Sequence, residues 1–472
     1  MEKFDLFVLG TGPAGQRAAV QAAKLGKAVG ICEKRDVVGG VCINTGTIPS
    51  KTFREAVLYL SGFAQRGMYG TAYTVKENIT AEDLLFRCQS VIKREIDVVR
   101  AQMKRNGVAL LGGVARFTSP HTLTVTGAQG ATEVEAEKIV IATGTRPATP
   151  PGVAVDGETI LDSDGILGLK TLPRTMIVVG GGVIGVEYAS MFAALGIAVT
   201  LIDKRPRLLD FVDGEIAEAL SYALRNMNCT LRLGEDVADV HVEAPRRAVA
   251  TLKSGKKIVA DLLLYSIGRV GATGDLDLPA AGLSADDRGR LAVNAHYQTQ
   301  QPHIYAAGDV IGFPALASTS LEQGRLAACH AFGVACTSMP HLYPIGIYSV
   351  PELSMVGKTE EELTQNSVPY EVGLAHYREI ARGAILGDDT GLLKIIVHRD
   401  TRQLLGVHIL GTAATELVHI GQAFLTLGGT LDVLVETVFN YPTFAECYKV
   451  AALDAYNKLG PAAAAEGACQ ST

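Results

Sequence analysis

The sequence predicts an α/β protein with two Rossmann-like domains and a third, α+β domain near the end of the chain. The chain has 472 residues, enough for about three domains of roughly 150 residues each. A strand–turn–helix pattern with three glycines occurs twice, and the last part of the chain alternates strands and helices without it. Hydrophobic residues make up 48% and charged residues 19%, which supplies large cores and excludes a disordered protein.

Charge and cysteine content exclude several classes of protein. The net charge is −6 and the basic residues form no run, so we expect no binding to nucleic acid. The eight cysteines lack metal-ligand spacing and do not indicate a secreted disulfide scaffold in so long a chain, so we expect no metal site. The 51 glycines exceed the usual share of about 7% and show no period, which predicts many tight turns.

No targeting or membrane segment is predicted. The chain passes from Met1 into the strand-like run 4–9 without the charged-then-apolar order of a signal peptide. Its longest apolar stretch, 175–202, contains five glycines and Glu187, which argues against a membrane span. We therefore expect a cytoplasmic protein that does not associate with a membrane.

The repeated pattern consists of an apolar strand, a G-x-G-x-x-G turn, an alanine-rich helix and a second apolar strand that ends in an acid. Its members are Gly10, Gly12, Gly15 and Glu33 in the first copy, and Gly180, Gly182, Gly185 and Asp203 in the second. The glycines allow a tight turn that brings a helix N-terminus close to a pyrophosphate, and the acid accepts hydrogen bonds from a ribose diol. An ordinary βαβ turn is the alternative, but two complete copies predict two bound dinucleotides and electron transfer between them.

Each copy is followed by a β-meander and a strand that ends in glycine. These strand ends lie at 141–144 and 266–269, and a third apolar strand runs through 303–309. The predicted division of the chain is 1–150, the first part of the first nucleotide domain; 151–280, the second nucleotide domain; 281–345, a return to the first; 346–460, an assembly domain; and 461–472, a disordered Ala/Gly-rich tail.

The segment 39–51, GGVCINTGTIPSK, resembles the redox-active segment of the FAD-dependent pyridine nucleotide–disulfide oxidoreductases, such as lipoamide dehydrogenase and glutathione reductase. The resemblance continues at 142–144, 308–309 and 441–443 and so spans nearly the whole chain. It implies a glutathione-reductase-like fold, FAD at the first glycine pattern, NAD(H) or NADP(H) at the second, and a homodimer or higher homo-oligomer built by the last domain.

Two departures from that family concern its disulfide chemistry. The family has Cys-x₄-Cys where this chain has Cys42 and Thr47, and a histidine where this chain has Tyr441, although the following Glu446 is kept. A threonine cannot form a disulfide, and a tyrosine with a pKa near 10 is a poor base at pH 7. Disulfide substrates are therefore not expected.

Three segments resemble one branch of the family, the soluble NAD(P)⁺ transhydrogenases: 46–51, 343–348 and 439–443. This resemblance implies an enzyme that moves hydride between NADPH and NAD⁺ through FAD, in a ping-pong sequence and without a redox-active disulfide. An NAD(P)H:quinone or dye oxidoreductase would also need no disulfide, and a non-catalytic nucleotide sensor is an alternative of a different class.

The acid of the second glycine pattern has basic neighbours. Asp203 suits the 2′-hydroxyl of NAD(H), whereas Lys204, Arg205 and Arg207 could hold the 2′-phosphate of NADP(H). Such a mixed site fits a protein that accepts both nucleotides. The alternative is a solvated charged turn.

The family resemblance also implies roles for single residues. It places Lys51 beside flavin N5, paired with Glu187, where a cation would stabilise negative charge on the flavin. It places Asp309 on the ribitol and Glu33 on the adenosine ribose of FAD. The alternatives are a surface lysine with an incidental glutamate, a strand-end turn aspartate and a solvated carboxylate.

The remaining candidates line the same sites. Gly40, Cys42, Thr47, Gly144 and Gly268 complete the predicted nucleotide-binding set. Cys42 either contacts FAD or is a small core residue. By the same resemblance, Tyr441 and Glu446 come from the partner subunit and close the flavin pocket; the alternatives are interface packing and a structural hydrogen bond.

Overall fold

A computed structural model describes residues 1–150, 152–336 and 341–460, so the predicted tail 461–472 lies outside the described residues. The α-helices are α1 (Pro13–Lys24), α2 (Gly40–Asn44), α3 (Thr47–Ser61), α4 (Arg66–Tyr69), α5 (Ala81–Arg105), α6 (Val183–Ala194), α7 (Gly214–Asn226), α8 (Ala317–Ala331), α9 (Glu360–Gln365), α10 (Ala381–Leu386), α11 (Ala414–Thr426), α12 (Leu431–Glu436) and α13 (Glu446–Leu459). Short 3-10 helices occupy Phe63–Gln65, Gly165–Gly168, Leu278–Ala281, Asp309–Ile311 and Tyr377–Glu379.

The strands of the first half of the chain are β1 (Glu2–Leu9), β2 (Val29–Glu33), β3 (Ala109–Gly112), β4 (Val114–Phe117), β5 (Thr122–Gly127), β6 (Gly130–Ile141), β7 (Thr145–Pro147), β8 (Ile160–Asp162), β9 (Thr175–Val179), β10 (Ala198–Asp203) and β11 (Thr230–Leu233). Those of the second half are β12 (Val237–Glu243), β13 (Arg247–Leu252), β14 (Lys257–Ala260), β15 (Leu262–Tyr265), β16 (Arg269–Gly271), β17 (Ile304–Ala306), β18 (Ile345–Ile347), β19 (Leu353–Gly357), β20 (Tyr370–His376), β21 (Leu392–His398) and β22 (Leu404–Leu410).

The first nucleotide unit is a parallel sheet in the order β3-β2-β1-β6, with β17 parallel to the end of β6. The beginning of β6 pairs instead with β5, which continues antiparallel to β4. Helices α1, α5 and α8 cover the parallel part, so the end of β1 is buried on both faces, as its continuous apolar run predicts. Leu276 and Leu278 already pack in the core of this unit, so the chain has returned to it by that point.

The second nucleotide unit repeats this plan with a parallel sheet in the order β11-β10-β9-β15-β8. Helix α6 follows β9 and is buried along its whole length, which explains why it is apolar on every side. A three-stranded antiparallel sheet, β12-β13-β14, packs beside it. In both units the strand order reverses next to the first strand, where α/β sheets bind their ligands.

The third unit is an antiparallel sheet in the order β18-β19-β22-β21-β20. Helices α11 and α13 pack on it and share its core. Two doubly wound units and this α+β unit confirm the predicted fold class. Among the described helices, none has both the length and the apolar character needed to cross a membrane.

A buried charge cluster joins the second unit to the third. The ammonium group of Lys394, on β21, is fully buried and lies 2.8 Å from Asp213 Oδ1 and 3.0 Å from Glu215 Oε2, at the start of α7. It also contacts Glu360. Burial opposes the charge on Lys394, but the hydrogen bonds that its ammonium donates to the surrounding carboxylates outweigh this effect and raise its pKa. The cluster therefore stays ionised and fixes the two units against each other.

We expect Lys394→Met to lower the free energy of unfolding by about 3–5 kcal/mol, because it leaves the buried carboxylate of Asp213 without its counterion. Urea unfolding of the flavin-loaded protein measures the change. The control is Lys358→Met, whose ammonium is exposed and pairs with Glu362 at 3.5 Å; it should cost less than about 1 kcal/mol. Equal, small losses for both variants would contradict a structural role for the cluster.

Candidate active site

The first glycine pattern opens onto a cleft of about 1210 Å³ at the carboxyl ends of β1, β2, β6 and β17. The turn needs glycine for steric reasons. A Cβ on Gly15 would lie 1.9 Å from the carbonyl oxygen of Gly10, so a side chain there would push helix and strand apart. Gly10 itself has φ +103°, and a Cβ there would meet the carbonyl of Ala142 at the end of β6. The glycine turn therefore packs closely against the ends of β1 and β6, while the side that faces away from these strands remains open.

The N-terminus of α1 faces this cleft. Gly12 precedes the helix and Pro13 is its first residue, a position where the missing N–H costs nothing. A Cβ on Gly12 would meet no protein atom, which leaves room for a ligand directly at the helix end. The unpaired N–H groups and the helix dipole suit a pyrophosphate there.

Glu33, at the end of β2, is held at the edge of the cleft. Its Oε2 accepts hydrogen bonds from the backbone N–H of Thr11, at 3.2 Å, and from the Thr11 hydroxyl. Its Oε1 accepts from the N–H of Arg35 at 3.0 Å. The carboxylate is therefore fixed in orientation and able to accept further bonds from a ribose diol.

The far end of the cleft carries two polar groups that need a ligand. The hydroxyl of Thr143 is buried without a hydrogen-bond partner. Burial raises the pKa of Asp309, although the nearby cation of Arg269 and the hydroxyl of Ser320 oppose that rise. A buried hydroxyl and carboxyl with unused hydrogen-bonding capacity match a polyhydroxylated chain. The glycine cradle, Glu33 and these groups fit FAD.

Lys51 and Glu187 meet between the first two units. The Lys51 ammonium lies 2.8 Å from both carboxylate oxygens of Glu187, which is 2% exposed at the start of α6. Glu187 Oε1 also accepts the backbone N–H of Tyr348 at 2.8 Å, and the Lys51 ammonium lies 4.9 Å from the centre of the Tyr348 ring. The third unit thereby completes an ion pair made by the other two.

The ion pair lies close to the cleft. Thr47, which lines the cleft, precedes Lys51 by four residues on α3, so the two side chains share one face of that helix. The charge of Lys51 also acts on the thiol of Cys42, which lines the cleft as well. A cation is thus held rigidly where it can act on a ligand of the cleft.

Cys42 faces Thr47 across the break between α2 and α3. Burial raises the pKa of the Cys42 thiol, and a hydrogen bond from Thr47 only partly offsets this. Every cysteine in the described part of the chain is free. The site therefore holds a neutral thiol and a hydroxyl in the place of a dithiol.

The second glycine pattern has the same geometry as the first. A Cβ on Gly185 would lie 1.8 Å from the carbonyl oxygen of Gly180, and one on Gly180 would meet the carbonyl of Ser266 after β15. A smaller cleft beside the ends of β9 and β15 is lined by Val179, Tyr265 and Ile267 together with residues 236–240, and neither the glycines of this pattern nor Asp203 lines it. Gly182 and Gly268 flank this edge of the sheet, on the helix and strand sides respectively.

Asp203 is covered by Arg205. Its Oδ1 lies 2.9 Å from Arg205 Nε and its Oδ2 lies 2.7 Å from Nη2, while Oδ2 also accepts the N–H of Gly181 at 2.5 Å. Burial disfavours the ionised form of Asp203, but the bonds from Arg205 and Gly181 prevail and lower its pKa. The carboxylate of Asp203 and the guanidinium of Arg205 are therefore in contact at the end of β10.

The other two cations of the basic turn behave differently. Lys204 is exposed. Arg207 Nη1 lies 2.8 Å from Glu361 Oε1, and its Nη2 donates to the carbonyl of Asp210 at 3.1 Å. Arg207 thus holds the second unit to the third, so among the predicted phosphate ligands Arg205 is the one that contacts Asp203 directly.

Tyr441 and Glu446 lie on the third unit and do not line the cleft of the same subunit. Tyr441 is 69% exposed, and Val438 and Leu427 of the same unit are exposed as well. Glu446 begins α13, where its Oε2 lies 3.4 Å from the backbone nitrogen of Thr443. One subunit by itself therefore leaves Tyr441 exposed and Glu446 half-buried at the start of α13.

Several site residues were not identified in the sequence. The cleft is lined by Thr11, Thr143 and Ser320, and Thr11 also donates to Glu33. Gln323 accepts the N–H of Gly308, and Tyr348 donates its N–H to Glu187. Thr11 and Thr143 stand inside motifs that were found, so their position next to the glycines was the available signal. Tyr348 ends the segment 343–348, whose resemblance to the transhydrogenases was the available signal, whereas Ser320 and Gln323 lie in a segment without a nucleotide-binding pattern.

Family models match two parts of the chain. Residues 4–324 match the pyridine nucleotide-disulphide oxidoreductase family, and residues 343–452 match its dimerisation domain. The chain therefore belongs to the pyridine nucleotide-disulphide oxidoreductases, as the segment 39–51 indicates.

Curated relatives show which branch of this family the chain is similar to. The chain is 58% identical over 97% of its length to a soluble pyridine nucleotide transhydrogenase of Mycobacterium tuberculosis, 98% of which is covered. It is 45% identical over 97% of its length to the soluble pyridine nucleotide transhydrogenase of Colwellia psychrerythraea, which is covered completely. The chain is thus similar to transhydrogenases over almost its entire length.

Solved structures share the fold with lower identity. LpdA of Mycobacterium tuberculosis is 26% identical with a TM-score of 0.87, over 96% of this chain and 99% of that one. The HOCl-induced flavoprotein disulfide reductase RclA of Escherichia coli, solved as a Cu(II) complex, is 28% identical, also with a TM-score of 0.87 and the same coverage. The architecture is therefore common to proteins of different names within the family.

Thr47→Cys should create a disulfide with Cys42, because the side chain at position 47 already hydrogen-bonds the Cys42 thiol. Thiol titration of the unfolded protein, before and after reduction, should show that both thiols are lost in the oxidised form. The control is Thr52→Cys, one turn further along α3, where the hydroxyl bonds the carbonyl of Ile48 instead. If Cys42 stayed free in the Thr47→Cys variant, the two positions would not be neighbours.

Proposed function

We propose that this protein is a transhydrogenase that transfers hydride between NADPH and NAD⁺ through bound FAD, in a ping-pong sequence and without a redox-active disulfide. The observation that carries the proposal is a rigid Lys51–Glu187 pair beside a cleft in which Thr47 replaces the thiol partner of Cys42. The names of the relatives that are 45–58% identical support it.

FAD, when bound, supplies the hydride acceptor and donor that both nicotinamides use in turn. The protein's own residues bind and orient it: the N-terminus of α1 takes the pyrophosphate, Glu33 takes the adenosine ribose, and Asp309 takes a ribitol hydroxyl. Lys51 holds a fixed positive charge that stabilises negative charge arising during hydride transfer. Glu187 keeps that charge in place, and no general base is required.

The Asp203–Arg205 pair gives the second site its tolerance of both nucleotides. Arg205 neutralises Asp203 in the free site, so the acid does not repel a 2′-phosphate. For NADP(H), the guanidinium is the charge-assisted donor to the phosphate, and for NAD(H) the carboxylate accepts the 2′-hydroxyl. Both substrates of the exchange can therefore use one site in succession.

Two subunits complete the enzyme in this proposal. The dimerisation domain supports a homodimer, and the exposed apolar residues Leu427, Val438 and Tyr441 supply apolar surface for it. In the dimer, Tyr441 and Glu446 close the flavin cleft of the partner subunit. We place the exchange in the cytoplasm, because its substrates are soluble nucleotides.

The purified, flavin-loaded protein should reduce a thio analogue of NAD⁺ with NADPH and give parallel double-reciprocal plots, the pattern of a ping-pong sequence. Lys51→Met should lower kcat by about 100-fold, because it removes a charge that acts during hydride transfer. Lys51→Arg keeps the charge and should recover part of the rate, and Lys104→Met, an exposed lysine on α5, should not change it.

The same assay distinguishes the transhydrogenase from the alternative functions. Fast reduction of a quinone without reduction of the NAD⁺ analogue would replace the transhydrogenase with a quinone reductase. Nucleotide binding without turnover toward either acceptor would indicate a sensor.

Arg205→Ala should raise KM for NADPH relative to KM for NADH by about tenfold or more, because it removes a charge-assisted donor and exposes the charge of Asp203 to the 2′-phosphate. Steady-state kinetics with each nucleotide measures the ratio. Arg207→Ala is the matched control, since that guanidinium is bound to Glu361 and should leave the ratio unchanged. Equal loss for both nucleotides in Arg205→Ala would make the Asp203–Arg205 pair purely structural.

A further inference from the structure

The end of α8 brings two cysteines together. Gly333, with φ +70°, terminates the helix, and the N–H of Val334 bonds the carbonyl of Cys329 at 2.9 Å while that of Gly333 bonds His330 at 3.2 Å. This pair of bonds is a Schellman motif, which reverses the chain after a helix. After this reversal the chain runs back along the last turn of α8, which brings Cys336 next to Cys329.

Arg325 lies between the two sulfur atoms. Its Nη1 is 3.9 Å from the Sγ of Cys329 and 3.8 Å from the Sγ of Cys336, so both thiols share one nitrogen. Glu322, one turn earlier, fixes the guanidinium with contacts of 2.9 Å to Nε and 2.5 Å to Nη2. The cation is therefore held in place next to a pair of thiols.

The two thiols differ in access. Cys336 is exposed, whereas Cys329 is 1% exposed. Burial and the neighbouring thiol of Cys336 raise the pKa of Cys329 to about 11. The guanidinium contacts the exposed sulfur of Cys336, which is the sulfur that an oxidant can reach first. The arrangement thus provides an exposed nucleophile and a buried partner.

We propose that Cys329 and Cys336 form a reversible dithiol–disulfide site that is oxidised by hydrogen peroxide. The Cys336 thiolate attacks one peroxide oxygen, the O–O bond breaks, and hydroxide leaves to give a sulfenic acid. The Cys329 sulfur then attacks that sulfur, the S–S bond forms, and the sulfenic oxygen leaves as water. Two thiols lose two electrons in all, the peroxide becomes two waters, and a small dithiol reverses the change.

This site lies on the helix that supports the flavin cleft. At the other end of α8, Gln323 accepts the N–H of Gly308, and Ser320 lines the cleft next to Asp309. Gly324 lies so close to α1 that a Cβ there would be 2.0 Å from the carbonyl of Ala14. A disulfide at the C-terminal turn would close a covalent loop on this helix. The proposal does not depend on which reaction the cleft performs.

The test oxidises the flavin-loaded protein with hydrogen peroxide, alkylates the remaining thiols and maps the peptides by mass spectrometry. We expect a Cys329–Cys336 cross-link that dithiothreitol removes, with the buried Cys88, Cys229 and Cys447 alkylated after unfolding. In Cys329→Ser, Cys336 should accumulate a sulfenic acid that dimedone traps. In Cys336→Ser, Cys329 should remain a thiol.

Arg325→Gln should slow the cross-link by about tenfold, because it removes the cation that contacts both sulfur atoms. Arg100→Gln, an exposed arginine on α5, should not slow it. A disulfide from Cys336 to Cys469 or to a second subunit would overturn the proposal. So would oxidation of Cys336 that stops at the sulfenic acid while Cys329 is present, or a rate independent of Arg325.

Discussion

The ion pair between Lys51 and Glu187 is the interaction at which all three units meet. Glu187 is almost fully buried, and an unpaired carboxylate there would be costly, so the Lys51 ammonium and the Tyr348 N–H must both reach it. These partners come from the first unit and the third, whereas Glu187 belongs to the second. Satisfying one charge therefore positions the two nucleotide clefts and the assembly unit together.

The chemistry of the site depends on a single substitution beside that pair. In a family whose name records disulfide chemistry, this chain pairs a neutral thiol at Cys42 with the hydroxyl of Thr47. Electrons cannot pass to a dithiol there. Transfer of hydride between two nicotinamides is therefore the simplest remaining reaction. The Asp203–Arg205 pair matches this route, because one site must accept a ribose and a ribose phosphate in turn.

The parts of the site that could be predicted are those encoded within short segments. Glycine is required at 15 and 185 because a Cβ there would lie less than 2 Å from the carbonyl oxygen five residues earlier, so the spacing of the glycines alone identifies the turn. The side-chain partners were less predictable. Arg207 was grouped with Arg205 by sequence, yet it binds Glu361, a residue 154 positions away that no local pattern connects to it.

The sequence by itself determined the two nucleotide folds, the family and the loss of the dithiol, because backbone geometry and covalent chemistry depend on residue type at fixed spacing. Only the tertiary structure decided that Arg205 covers Asp203, that Tyr348 completes the Lys51–Glu187 pair, and that Cys336 returns to Cys329. These contacts depend on side-chain conformation and on the packing of distant segments. Burial and the balance of neighbouring charges set them, and neither can be obtained from the order of residues in one segment.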